Sequence, residues 1–553
     1  MKTYLTCAVL FAWTTAATAA DFNVVEATIP QMQAALKDGR ITSHDLVLQY
    51  LARIATYENV INPTIAVSKQ ALAEADALDR ERAAGKVRGP LHGIPVALKD
   101  NIHTTSMPTT AGALAFAGLI PPYEATLTTN LRAAGAIIIA KTVLTEMANW
   151  MVIGMPNNYS AVGGFSFNPY DAQRDPRPGL NDGRGVMQTG SSSSGGGTTM
   201  SLWAANVGTE TTVSIINPSS NAMLVGIKPT LGRVSRYGIV PVSMDQDTAG
   251  PMTRSVTDAA LMLGAMEGAS PDPHDDMTKR CTPPAGRDYT QFLKGDALKG
   301  ARIGVPRAYF IDSMLVPGTP KPSDAIPDDQ KAVMNEVVAL LRAQGATVID
   351  PADVPSVLAK DPAKNMLVKG SCTGSANSRD GNCSIVLKYS FKRDFKLWLD
   401  SLGAAAPFTS LAAFRQWNTD HASMGALKYR QDTLDMSDEM DLDKDRARYD
   451  ADRAQDQRLT GAEGFDKLFK QKKLDAVIFA GSRGSSFLAK SGYPTVSVPY
   501  GMVANGTGYP PGFTPKPMPM GVAFSGLACS EPRLLAIAYA FEQATKKRRP
   551  PEL

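Results

Sequence analysis

Histidine and cysteine are scarce in this chain of 553 residues, with five of each. The histidines His44, His92, His103, His274 and His421 show no ligand spacing such as His-Glu-x-x-His, so no catalytic metal is expected. His92 and His103 flank one apolar strand and read as solvent-exposed or loop residues rather than members of a triad. No phosphate loop is present, and no Gly-x-Gly-x-x-Gly opens a helix after a strand, so no cofactor is expected either. An excess of one charge is also missing. Lys and Arg number 57 against 53 Asp and Glu, a formal net charge of +4, too small and too dispersed for a nucleic-acid partner. The basic run Lys546-Lys547-Arg548-Arg549 is short and reads as a solvated terminus. Beyond the N-terminus no apolar run reaches about 18 residues, which excludes a membrane partner and predicts a soluble mature chain. Repeats with a period of roughly 20–50 residues are absent.

What is present is an ordinary globular composition, 44% hydrophobic and 20% charged, with length enough for a large core. The chain starts with Lys2, an apolar run from Leu5 to Trp13, and small residues ending Ala17-Thr18-Ala19-Ala20. That is the pattern of a secretory signal peptide over residues 1–20, and it places the mature protein in the periplasm or outside the cell. Cys7 leaves with it. Cys372 and Cys383, flanking a loop rich in Gly, Ser and Asn, read as disulfide partners in an oxidising compartment, two free thiols being the alternative. Cys281 and Cys529 form the weaker candidate pair.

The N-terminal third reads as helices. Thr28 and Gln31 make a capping box, Ser43 caps a second helix with Leu46, Val47, Tyr50, Leu51 and Ile54 on one face, and Ser68 caps a third. Alternation of apolar strands and helices then sets in, with strands at 93–98, 136–140, 225–227, 301–305 and 476–480. Continuous apolar strands between helices predict an α/β fold with a mixed, mainly parallel central sheet covered by helices on both faces. Residues 21–553 read as a single domain. An insertion at about 351–465 contains the charged stretch Asp438–Arg458, read as a solvated helical segment.

The segment from Thr189 reads Thr-Gly-Ser-Ser-Ser-Ser-Gly-Gly-Gly and runs into an apolar stretch. Alone, a Ser/Gly run reads as a flexible linker. Inside an α/β core between two apolar segments, glycines instead let backbones approach and aim N–H groups into a cavity. Lys99 closes a strand, and Ser214 follows at the end of Gly208-Thr-Glu-Thr-Thr-Val-Ser214. A lysine, a serine-rich loop and a second serine can make a nucleophile and its base without histidine.

Taken together, Gly93-Ile-Pro-Val-Ala-Leu-Lys-Asp-Asn101, the serine loop and Gly208-Thr-Glu resemble the amidase signature family. So do Gly226-Ile-Lys-Pro-Thr-Leu-Gly-Arg-Val-Ser-Arg236, Asp247-Thr-Ala-Gly-Pro-Met252, Ala489-Lys-Ser-Gly-Tyr-Pro494 and Leu534–Gln543. The resemblance covers roughly residues 25–550 and is nearest to the bacterial peptide-amidase-like branch. It implies cleavage of small amides or peptide amides through an acyl-serine, with Ser214 as nucleophile, Ser192 as the bridging serine and Lys99 as base. Ser193 is the second choice within Ser191–Ser194. It also implies a cis peptide bond at the bridging serine, and an oxyanion hole on the N–H groups of Thr211, Thr212, Val213 and Ser214.

The residue types suit that chemistry. A free lysine titrates near ~10.4, and burial lowers it by up to about 3–5 units, into the range of a working base. Thr212-Val213 departs from the glycine usual before the nucleophile. A left-handed backbone there would strain valine and disable the oxyanion hole, leaving a catalytically impaired, secreted binding relative as the alternative. Arg233 and Arg236 read as braces for the loop after Pro229. Substrate specificity is assigned to residues 150–185 and 351–465. Oligomeric state is left open.

Overall fold

The computed structural model describes residues 22–192, 195–373 and 383–552. The expected signal peptide and Ser193 lie outside them. The first helix, Ile29–Lys37, starts at the expected capping box, with Thr28 and Gln31 each bonding the other's backbone N–H. The second, Ser43–Ile61, is capped by Thr42 with Asp45, one residue before the expected Ser43. Its Leu46, Val47, Tyr50 and Ile54 are buried at helical spacing.

These helices pack on one large sheet. We number its strands β1 Thr64–Val67, β2 Pro95–Lys99, β3 Ile137–Thr142, β4 Ala205–Glu210, β5 Val225–Lys228 and β6 Thr248–Thr253. Then come β7 Arg302–Gly304, β8 Thr347–Ile349, β9 Ala476–Ala480, β10 Thr495–Val503 and β11 Met518–Ser525. Their order across the sheet is β1-β3-β2-β4-β6-β5-β10-β11-β9-β7-β8. The sheet is mixed. Parallel pairing is confined to β3-β2-β4 on one flank and β9-β7-β8 on the other, and the centre is antiparallel. The expected dominance of parallel pairs therefore gives way to an antiparallel middle. Both kinds of strand read as continuous apolar runs when helices cover both faces, so the residue pattern does not separate them.

The stretch between β8 and β9 is mainly helical. Its helix Val386–Ser401 buries Phe391, Phe395 and Trp398 in an aromatic cluster with Phe116, Trp150 and Phe414. The charged stretch is more than a solvated helix, because helix Arg446–Gln457 buries Tyr449, Asp452 and Asp456. Asp452 accepts the N–H of Ile385 at 2.9 Å, and Asp456 pairs with Lys490 at 2.6 Å. Its outer charges are solvated; its inner ones tie the insertion down.

The two disulfides join Cys281 to Cys529 and Cys372 to Cys383. The basic tail is pinned rather than free, since Arg548 pairs with Glu26 at 2.7 Å and Tyr170 donates to the carbonyl of Arg549. Arg233 bridges Glu267 at 2.8 Å and Glu531 at 3.0 Å, while Arg236 holds Asp275. His92 and His103 are fully buried, against the expectation of exposed rings. His92 Nε2 meets the carbonyl of Leu78 at 2.9 Å, and His103 Nε2 accepts the indole N–H of Trp398 at 2.8 Å.

Candidate active site

Register places the lysine. Strand β2 runs parallel to β4 with Leu98 opposite Val207, so Lys99 ends its strand beside Gly208-Thr209-Glu210. Lys99 is completely buried. Its Nζ donates to the carbonyl of Thr209 at 3.1 Å and reaches Ser191 Oγ at 3.5 Å. Burial pushes its pKa down to about 7, against an opposing pull from Asp247 and Glu210. A group that is an inert cation in water is thereby half neutral near physiological pH.

Directly below, Asp100 and Lys141 form a fully buried pair at 2.9 Å, and Lys141 also donates to Thr109 Oγ1 at 2.8 Å. That pair keeps the second buried ammonium satisfied by a carboxylate of its own, leaving Lys99 without one in contact.

The serine loop turns at Gly190, whose φ of +84° suits glycine. Ser191 faces Lys99, whereas Ser192 Oγ donates to the carbonyl of Thr209 at 3.3 Å. The loop fits because Gly208 has no side chain; a Cβ there would stand 2.9 Å from Ser192 Oγ. The lysine thus reaches Ser191 among the described residues, while the expected Ser192 shares the Thr209 carbonyl with it, and Ser193 lies outside them. Among the described residues the cis peptide bond is Asp350-Pro351, so the bonds leading into Ser191 and Ser192 are trans, unlike the implication of the resemblance.

Ser214 lies in the turn after β4. Glu210, at the end of that strand, accepts the N–H groups of Ile215 at 2.7 Å and Ile216 at 2.9 Å, fixing the start of helix Ile216–Asn221. Asp247 holds the near side: it accepts the Thr211 hydroxyl and the N–H groups of Val242 and Ser243, both at 2.8 Å. Burial raises Asp247 to about 6. Val213 is not in the left-handed region, so the strain anticipated for Thr212-Val213 does not arise. The N–H groups of Thr212, Val213 and Ser214 have no protein partner among the described residues. Ser214 Oγ likewise has none.

These groups meet at a cavity of about 250 Å³ whose wall includes Ser191, Thr211, Thr212, Val213 and Ser214. Trp150, Ile153 and Asn157 line it from one side, and Ser371, Thr373 and Leu387 from the insertion. Three larger hollows, of about 630, 580 and 410 Å³, lie around Tyr289, Glu267 and Gln31, and none of Lys99, Ser191 or Ser214 lines them. The chemistry, not the volume, singles out the smaller one.

The sequence model of the amidase family matches residues 45–535. The chain belongs to the amidase family. It is 33% identical over 537 residues to an Arabidopsis thaliana protein described as a probable amidase, covering 96% of this chain and 92% of that protein. The native peptide amidase of Stenotrophomonas maltophilia superposes with a TM-score of 0.79 at 33% identity, over 95% of this chain and 98% of its own. A peptide amidase bound to the competitive inhibitor chymostatin gives 0.80 at 33% identity, over 96% and 99% of the two chains. This amidase therefore hydrolyses amide bonds on the amidase signature fold.

Two supporting residues escaped the sequence reading as individuals. Glu210 and Asp247 stand inside the quoted motifs Gly208-Thr-Glu and Asp247-Thr-Ala-Gly-Pro-Met252, but only the fold shows them bracing the Ser214 turn from opposite sides.

Proposed function

We propose that this amidase cleaves small neutral amides or peptide amides through an acyl-serine on Ser214. Neutral Lys99 draws a proton through Ser191 from Ser214, whose Oγ attacks the amide carbonyl carbon. The negative charge that develops on the carbonyl oxygen is received by the N–H groups of the 211–214 turn. Collapse breaks the C–N bond while the proton returns along Ser191 to the leaving nitrogen. Water then attacks the ester to Ser214, giving up a proton along the same path and releasing the acid. Ser192 supports the relay from the Thr209 carbonyl. The observation that carries this reading is the contact of buried Lys99 with Ser191 on the wall that also holds Ser214 and unpaired backbone donors.

The substrate class rests on the 33% identity to peptide amidase across nearly the whole chain. We place the mature protein in the periplasm or outside the cell, a reading supported by residues 1–20 and by two disulfides of the kind that persist in oxidising compartments.

The test is covalent. A serine-directed fluorophosphonate should add once per chain, peptide mapping should place it on Ser214, and Ser214→Ala and Lys99→Ala should both abolish it. Among relay variants, Ser191→Ala should slow labelling more than Ser192→Ala. A folded wild-type protein that takes no label would defeat the acyl-serine mechanism.

A further inference from the structure

Three consecutive residues on the cavity side, Met147, Ala148 and Asn149, have φ of 49°, 53° and 73°. None is glycine, and a run of left-handed side-chain-bearing residues persists only where its surroundings over-determine it. They do so here. Met147 N–H donates to the Ala111 carbonyl at 2.8 Å, Asn149 N–H to Thr145 at 3.3 Å and Trp150 N–H to Met147 at 3.0 Å. The Trp150 indole then bonds Ser437 Oγ at 3.0 Å, tying the run to the insertion.

What this backbone presents is Asn149, on the wall of the same cavity as Ser191 and Ser214. Its Oδ1 is buried and has no hydrogen-bond partner among the described residues. A carboxamide oxygen left buried and unmatched on a strained backbone is matched by a ligand that brings a donor. The oxyanion donors of the 211–214 turn cover the carbonyl end of a scissile amide, which leaves its N–H without a partner. We infer that Asn149 reads the nitrogen side of the substrate, its Oδ1 accepting the N–H of the scissile amide. The inference rests on the amidase reading and deepens it, because an ester of the same acyl group has no such hydrogen and gains nothing from Asn149.

The experiment compares kcat/KM for a neutral primary amide and for the methyl ester of the same acyl group. Asn149→Gly deletes the carboxamide while glycine keeps the left-handed backbone, so the fold is retained. The amide-to-ester ratio should fall roughly 10–100-fold in this variant, the loss of one hydrogen bond in the reacting complex. Asn149→Asp, which keeps an acceptor oxygen, should hold the ratio near that of wild type. A ratio unchanged in Asn149→Gly, including equal losses on both substrates, overturns the inference and makes Asn149 a packing residue. Wild type that hydrolyses neither substrate removes the amidase reading and this inference with it, a result the fluorophosphonate label registers separately.

Discussion

At the scale of the residue, Lys99 is the group whose environment changes its chemistry most usefully. Burial lowers its pKa to about 7, and the nearby carboxylates Asp247 and Glu210 restrain the fall. On the proposed mechanism, the lysine is charged below that pH and cannot take the proton of Ser214. kcat/KM on a neutral amide should therefore rise with pH to a plateau, with an acid limb centred near 7. Because the negative charge of Glu210 favours the protonated lysine, Glu210→Gln should move that limb to lower pH. A limb that stays in place would mean that another group titrates. The same shift has a consequence for folding. Between about 7 and the free-lysine value of about 10.4, the unfolded chain holds a proton on Lys99 that the folded chain lacks. Through this residue, stability should increase with pH across that window.

Among the elements, the central strands leave the least room. Gly250 on β6 faces β5 so closely that a Cβ would lie 1.8 Å from the carbonyl oxygen of Ile227. That oxygen belongs to the backbone and cannot rotate away. Gly250→Ala should force β5 from β6 and cost about 3 kcal/mol or more, read as a lower urea midpoint. The first helix start was legible before the structure because it is local, whereas the expected Ser43 cap lay one residue off and Ser68 does not cap the third helix, which starts after Gln70. The Thr28–Gln31 capping box needs only residues three apart, and the apolar face of Ser43–Ile61 needs only helical spacing. Strand direction was not, since whether β5 and β6 run parallel or antiparallel depends on where the chain returns, and their residues are buried either way.

For the whole molecule, the longest covalent closure is Cys281–Cys529, whose ends are 248 positions apart in sequence. Cross-linking residues so far apart restricts the unfolded chain far more than the folded one. A Cys281→Ser/Cys529→Ser double variant should therefore lose about 2–5 kcal/mol, measured by denaturant unfolding under non-reducing conditions. An unchanged midpoint would show that this bridge contributes little beyond the packing around it. The insertion is the other global device. It buries Phe391, Phe395 and Trp398 against the segment carrying Trp150, and it lends Ser371, Thr373 and Leu387 to the cavity. Both stretches assigned to specificity from the sequence thus contribute to one wall.

The sequence by itself determined the family, and it singled out Lys99, the serine loop and Ser214 as candidate reacting groups, because they sit in motifs whose order along the chain is specific. It also pointed to the disulfide pairs. Between Ser191 and Ser192, tertiary structure alone decided which side chain reaches the lysine. Neighbouring serines in a run are chemically identical, and only the turn at Gly190 and the space above Gly208 set Ser191 toward Lys99 and Ser192 toward Thr209. It alone relieved Val213, whose backbone angle no residue list can give. It also buried His92 and His103, and set Asn149 in the cavity wall. Those outcomes depend on contacts between segments far apart in the chain, where spacing along the sequence carries no information about distance.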